Sequence, residues 1–304
     1  MSNTRDIKRR IKSIQSTQKI TKAMEMVAAS KMRKAVAQVQ ISREYAKKAW
    51  QVVQNIAHGH KKYHHPLLKK PKVIKKVAIL AISSNRGLCG GFNSNLVKEA
   101  IHTCDELKQK NINFEFITFG KKGADQIRKH GFDIIANFDK PDLLQNITTI
   151  SPITHLLLDG FQKKSFQQVI LVFTDFVSSL HQKPISKVLL PLKTKADADI
   201  GNVTINPTKK HSESGSIEKF YEYKFEPSPV EVLNDILPRI LELQIYQACL
   251  ESDASEHSSR MMAMSNAHGA ATDMIDELSL AYNKARQAAI TQEIAEIVSG
   301  ANAI

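Results

Sequence analysis

From Met1 to His58 the chain contains neither glycine nor proline, and Ile7, Ile11, Ile14, Ile20, Met24, Val27, Met32, Ala35 and Val39 recur at helical spacing. The pattern predicts one helix over 1–60. At a rise of ~1.5 Å per residue it would run about 80 Å, well beyond the usual three or four turns, which is the length of a coiled-coil strand. The stretch that follows, HGHKKYHHPLLKKPK, is polar and broken by Pro66 and Pro71, so a linker is expected over 61–75.

The pattern then changes period. Short apolar runs at Val77–Ser83, Phe114–Phe119, Phe132–Ala136 and Val169–Asp175 alternate with helical segments at Asn93–Lys110 and Lys121–His130. Ile150–Phe161 fits either a helix or a strand, and Lys187–Leu192 offers a further strand. Strands about six residues long between amphipathic helices predict a Rossmann-like, mostly parallel sheet covered on both faces, over 76–226. Within it 195–216 is polar and poorly patterned, and a loop or irregular hairpin is expected there.

A second long helix is expected over 227–304. Ser228-Pro229-Val230-Glu231 supplies an N-cap oxygen, a proline suited to the first turn and a glutamate that can reach back to the free amide. Pro238 should kink this helix or break it in two. Beyond it, His257, Met261, Met264, His268, Ala271, Ile275, Leu278, Tyr282, Ala285 and Ala289 keep the alternation of four and three that marks a left-handed coiled-coil seam. After Ala289 the stripe moves to Ile290, Ile294, Ile297 and Ala301, which implies a different neighbour for the last turns. The fold class is therefore α/β with a long antiparallel terminal coiled coil, the sheet domain being inserted between its two helices.

Charge alters this picture by its location. Residues 1–70 hold 17 Lys and Arg against 3 Asp and Glu, a net of +14, while the rest carries 26 against 27. The whole basic excess lies in the first segment, whose partner should be acidic: nucleic acid, anionic lipid or an acidic protein surface. No apolar run approaches the ~20 residues of a membrane span. A first turn charged from Arg5 onward, with no apolar stretch behind it, predicts a cytoplasmic chain. Cys89, Cys104 and Cys249 have no metal-ligand spacing and are read as reduced thiols.

Candidate chemistry is thin. Ser83–Asn93, SSNRGLCGGFN, follows a strand and opens a helix, where phosphate loops occur, yet it matches neither G-x-G-x-x-G nor G-x-x-x-x-G-K-[ST]. A structural loop is the better reading, and Cys89 has no paired base. His58, His60, His64 and His65 lie in a lysine-rich linker without acidic or thiol ligands, so they are read as solvated rather than metal-bound. The methionines at 24, 26, 32, 261, 262 and 264 read as core and interface filler. No catalytic residue, cofactor or metal is expected. A nucleic-acid-binding coiled coil and a dinucleotide-dependent enzyme are the rival classes, the first resting on the +14 segment and the second on the sheet pattern and the Gly87–Gly91 turn.

Three segments resemble the gamma subunit of F-type ATP synthases: IKSIQSTQKITKAMEMVAASKMRKA at 11–35, SSNRGLCGGFN at 83–93 and YNKARQAAITQEIAEIVSGANA at 282–303. The resemblance covers essentially the whole chain and is weakest over 137–225. It implies a non-catalytic rotor whose terminal helices form a shaft inside a hexamer of alpha and beta subunits. The globular domain would then rest with the epsilon subunit on the proton-driven c-ring, at the cytoplasmic face of the inner membrane. ATP chemistry would belong to beta. By motif position Arg286 and Gln287, with Thr291 one turn on, resemble the polar group that engages a loop of beta, and Met24 resembles the position facing beta's acidic lever. The resemblance implies no nucleic acid and no membrane span.

Overall fold

The computed structural model describes residues 4–59, 65–69, 71–144, 146–192, 226 and 228–301. The loop expected over 195–216 lies outside the described residues, as does part of the linker expected over 61–75. Two compact units emerge, Met1–Ala28 with Arg260–Ile304, and Ala29–Ser259. Helices α1 (Thr4–Gly59) and α5 (Pro229–Ala301) each contribute to both.

In the first unit Thr4, Ile7, Ile11, Ile14, Gln18, Thr21, Glu25 and Ala28 of α1 are buried or half-buried, a strict alternation of three and four. Met24 is also half-buried, whereas Ile20 and Val27 are exposed, at 60% and 55%. Apolar character alone therefore misplaced two members of the face. The heptad frame that continues through Met32, Ala35 and Val39 selects the buried set, including its polar members. On α5 the expected seam is covered from Met261 through Ala285 and ends there, with Ala289 already exposed.

The second unit holds a five-stranded sheet in the order β3-β2-β1-β4-β5. Strands β1 (Lys76–Ile82), β2 (Asn113–Phe119), β3 (Ile134–Phe138) and β4 (Gln168–Phe176) are parallel, and β5 (Gln182–Leu190) pairs antiparallel with β4. Parallel neighbours need crossovers, supplied here by α2 (Phe92–Gln109), α3 (Lys121–Lys129) and α4 (Ser151–Gln162). The ambiguous Ile150–Phe161 is thus helical: Pro152 suits its first turn, and Ile153, Leu157 and Leu158 bury one stripe. The third strand sits two residues later than its apolar run suggested. Its register shifts between Phe116 and Ile117 of β2 as it joins the sheet edge.

Alternation along β1 divides the core. Val77, Ile79 and Ala81 pack with Leu96, Ala100 and Cys104 of α2, while Ala78, Leu80 and Ile82 pack with Leu157 of α4 and Leu241, Ile245 and Cys249 of α5. The lower half of α5 is thus a layer of the α/β fold itself. Ser228 Oγ accepts from the Glu231 amide at 3.3 Å, as the capping sequence required. Pro238 lies inside α5 without breaking it. The proline removes only the amide that would bond the Asn234 carbonyl, and burial of Leu233, Leu237, Ile240 and Leu241 holds the turns on either side.

Candidate functional site

The residues expected to meet partners lie on the first unit. Arg286, Gln287 and Thr291 are all exposed on α5; Gln287 and Thr291 share a face one turn apart, with Arg286 beside them around the helix. Thr291 Oγ1 donates to the Gln287 backbone carbonyl at 2.9 Å. Arg286 makes no ion pair among the described residues. Met24 is half-buried on α1, next to Glu25, which pairs with Lys22 at 3.2 Å. The structure brings the first three together and leaves Met24 on the other helix.

Every residue from Arg286 through Ser299 is exposed, and Ile290, Ile294 and Ile297 stand at 47%, 56% and 70% exposure. These apolar side chains form the stripe expected beyond the seam, and no described part of the chain covers it. A helix that keeps large aliphatic residues uncovered on one face, polar residues filling the remainder, is shaped to be surrounded by another protein.

Two polar arrangements were not anticipated. In the first unit Gln18 Nε2 donates to Thr272 Oγ1 at 2.8 Å, and the Gln18 carbonyl meets His268 Nδ1 at 3.3 Å. These bonds fix which residue opposes which, as a polar seam position does in coiled coils. The signal was legible: counting the heptad back from Val39 and Ala35 lands on Gln18 and Thr21.

In the second unit α5 is buried on all sides from Gln247 through Ser258, although that stretch reads as polar. Ser252 Oγ donates to the Ile82 carbonyl (3.5 Å), Ser255 Oγ to Thr174 (3.2 Å) and Ser258 Oγ to Ser179 (2.6 Å). The helix therefore lies along the carboxyl end of the sheet, its serines donating to carbonyls of β1, of β4 and of the turn that follows β4. Beside these serines Lys140 Nζ lies 2.7 Å from both Asp253 Oδ1 and Glu256 Oε2, with the Lys140 and Asp253 side chains at 2% and 0% exposure. Asp253 Oδ2 also accepts from the Leu144 amide at 3.0 Å. Burial alone would lower the Lys140 pKa, but Asp253 and Glu256 outweigh it and hold the ammonium above its ordinary range. Burial likewise raises the Asp253 carboxyl and the Cys249 thiol. Nothing local announces this cluster, because Lys140 and its partners lie more than a hundred positions apart in sequence.

The Ser83–Asn93 segment is a closed structural turn. Ser83 Oγ donates to the Gly120 carbonyl and accepts from the Gly123 amide, both at 3.0 Å. Asn93 Oδ1 accepts from the Ser84 amide (3.1 Å), and Asn85 bridges the Lys140 carbonyl and the Lys121 amide. A side chain at Gly120, where φ is +116°, would put its Cβ 2.3 Å from the Ser83 carbonyl oxygen. Cys104, on the buried face of α2, has its thiol pushed up to about 12 by burial, which leaves it without nucleophilic character at neutral pH. His65 caps a short helical turn, its Nδ1 accepting from Leu67 N at 3.1 Å; His58, His60 and His64 lie outside the described side chains. Among the described residues no group of His, Cys, Asp or Glu is placed to hold a metal, and no helix is long and apolar enough to cross a membrane.

A family model described as ATP synthase matches residues 3–304. The chain is 40% identical to the ATP synthase gamma chain of Coxiella burnetii (strain CbuG_Q212) over 305 residues, and 38% identical to that of Legionella pneumophila (strain Corby) over 304; both alignments cover 100% of each chain. Among solved structures, the central stalk/c-ring of Tetrahymena thermophila mitochondrial ATP synthase aligns at 26% identity and a TM-score of 0.57, covering 82% of this chain and 99% of that one. The rotor of the Euglena gracilis mitochondrial enzyme aligns with a TM-score of 0.61 and 18% identity, covering 94% and 98%, a likeness of fold. The exposed helical end, the seam that stops at Ala285 and full-length identity to named relatives agree, and the chain belongs to the ATP synthase gamma chain family.

Proposed function

We propose that this chain is the non-catalytic central rotor of a proton-translocating F-type ATP synthase, coupling rotation of the c-ring to ATP synthesis and hydrolysis in the beta subunits. The observation that carries the reading is the end of α5: from Arg286 to Ser299 it is exposed all round, with Ile290, Ile294 and Ile297 uncovered. A collar of alpha and beta subunits accounts for that face. The terminal helices over 1–60 and 227–304 then serve as an antiparallel shaft, and the domain over 76–226 as the base that meets epsilon and the c-ring. The chain would sit peripherally at the cytoplasmic face of the inner membrane.

In this reading Arg286, Gln287 and Thr291 engage a loop of beta and Met24 faces its acidic lever. The exposed basic residues of α1 complement that lever in contacts that re-form at each step. An asymmetric shaft presents a different face to each beta subunit and so biases the three sites in turn. The test is reconstitution: adding this chain to alpha and beta subunits should give a stable complex with raised ATPase. Changing Arg286 and Gln287 together to Ala should lower assembly or coupled synthesis while shifting the isolated chain's stability by less than about 0.5 kcal/mol, because both positions are exposed. Full coupled activity in the double variant would remove the contact role.

A further inference from the structure

The chain leaves β3 through DKPDLL, residues 139–144, at the carboxyl end of the sheet. Pro141 fixes its own backbone angle and disfavours a helical setting at Lys140, so this connection is a stiffened loop. The turn that follows β1 fastens it to the sheet domain. Asn85 Nδ2 donates to the Lys140 carbonyl at 2.6 Å, and Arg86 Nη1 lies 3.2 Å from Asp142 Oδ2.

The same loop grips both long helices within the second unit. On α5, Lys140 Nζ meets Asp253 and Glu256 at 2.7 Å each, the Leu144 amide donates to Asp253 Oδ2 at 3.0 Å, and His257 Nε2 donates to the Asp142 carbonyl at 2.9 Å. Asp253, Glu256 and His257 stand at i, i+3 and i+4, so they share one face of the helix. On α1, Lys31 Nζ lies 3.3 Å from Asp142 Oδ2. Leu143 packs against a small apolar cluster made of Ala35 from α1, Ala254 from α5 and Phe176 from β4. Lys31, Arg86 and Lys140 thus meet Asp142, Asp253 and Glu256, a set balanced in formal charge.

Earlier along α5 the helix is held by Leu241, Ile245 and Cys249, and such apolar contacts select a face but are non-directional. Ser252, Ser255 and Ser258 add neutral hydrogen bonds to backbone carbonyls. The bonds of Lys140 are charge-assisted, directional and buried, where water does not compete for them. Turning α5 about its own axis by one residue's step, about 100°, would carry both carboxylates and His257 off the loop. We propose that the 139–144 loop is the torque clamp of this chain, with Lys140 and Asp142 as positioning residues that fix the roots of α1 and α5 against the sheet so that base and helix roots turn as one body. This inference rests on the rotor reading and adds to it the residues through which rotation passes from base to shaft.

The test uses the complete synthase assembled with this chain in proteoliposomes, with ATPase and ATP-driven proton uptake, read by quenching of a pH-sensitive dye, measured on the same sample. K140M/D253L/E256L replaces the buried ions by apolar groups, an exchange that is often neutral for stability. It should hydrolyse ATP near the wild-type rate yet move roughly ten-fold fewer protons per ATP, because each charge-assisted bond removed favours a slipped setting by about that factor. The Asp142 side chain is 39% exposed, so D142N should fold normally and show a smaller loss of the same kind, while D142E, which keeps the charge, should recover coupling. If the triple variant does not assemble, the two Asp142 variants decide alone. Full pumping per ATP in an assembled triple variant would overturn the proposal, as would equal behaviour of D142N and D142E, or pumping and ATPase that fall in proportion. A wild-type chain that neither joins alpha and beta subunits nor raises their ATPase would instead remove the rotor reading, and the clamp with it.

Discussion

Removing the ammonium of Lys140 is the most informative single change in the second unit. Lys140 Nζ lies 2.7 Å from carboxylates of Asp253 and Glu256, inside a stretch of α5 that is buried all round. Lys140→Ala leaves two buried carboxylates without their counter-ion, and removing one partner of a buried pair typically costs about 3–5 kcal/mol. Part of this is relieved when Asp253, already raised by burial, takes up a proton. With a urea slope of roughly 2–3 kcal/mol per molar for a domain of this size, the midpoint should fall by about 1–2 M. Urea titration followed by near-ultraviolet circular dichroism measures it, and hydrogen exchange along 247–258 locates it. The triple change Lys140→Met, Asp253→Leu and Glu256→Leu should recover most of the loss, since apolar replacement of a whole buried cluster is often neutral. The wild type should also weaken in alkali. The fold holds Lys140 above its ordinary range, so its contribution is complete below about pH 10.4 and is lost as the pH climbs beyond that value. A Lys140→Ala midpoint within 0.3 M of wild type would refute the reasoning.

The remaining predictions concern one histidine and one seam. His65 Nδ1 accepts from the Leu67 amide while Nε2 meets Asn234 Oδ1 at 3.0 Å, an arrangement only the neutral ring can make; burial lowers its pKa, against the opposing pull of Asn234. Its contribution is therefore present above about pH 6.5 and lost as the pH falls through the lowered value. His65→Ala should flatten that part of a pH series of thermal midpoints, and an unchanged slope would reject the assignment. Gln18→Ala removes a 2.8 Å bond to Thr272 from the middle of the α1 seam and should cost the first unit about 1 kcal/mol. The double variant with Thr272→Ala should cost little more, and additive losses in that cycle would show that the two side chains are not coupled.

Local periodicity determined a good deal of this protein. Long runs free of Gly and Pro, with apolar residues at helical spacing, read as long helices, and the switch to short apolar segments between helices reads as a mostly parallel sheet. The capping sequence at Ser228 and the seam from Met261 to Ala285 were legible for the same reason: each involves neighbours within one or two turns. The shift of the apolar stripe to Ile290, Ile294 and Ile297 was visible too. Tertiary structure decided what depends on distant residues. It placed Gln18 and Thr21 in the seam and left Ile20 and Val27 outside it, since heptad register outweighs the hydropathy of any one side chain. It carried α5 through Pro238, because packing on both sides exceeds the loss of one hydrogen bond. It also turned the polar stretch 247–258 into core, where serines meet carbonyls of β1, β4 and the turn after β4 and Lys140 pairs with both Asp253 and Glu256.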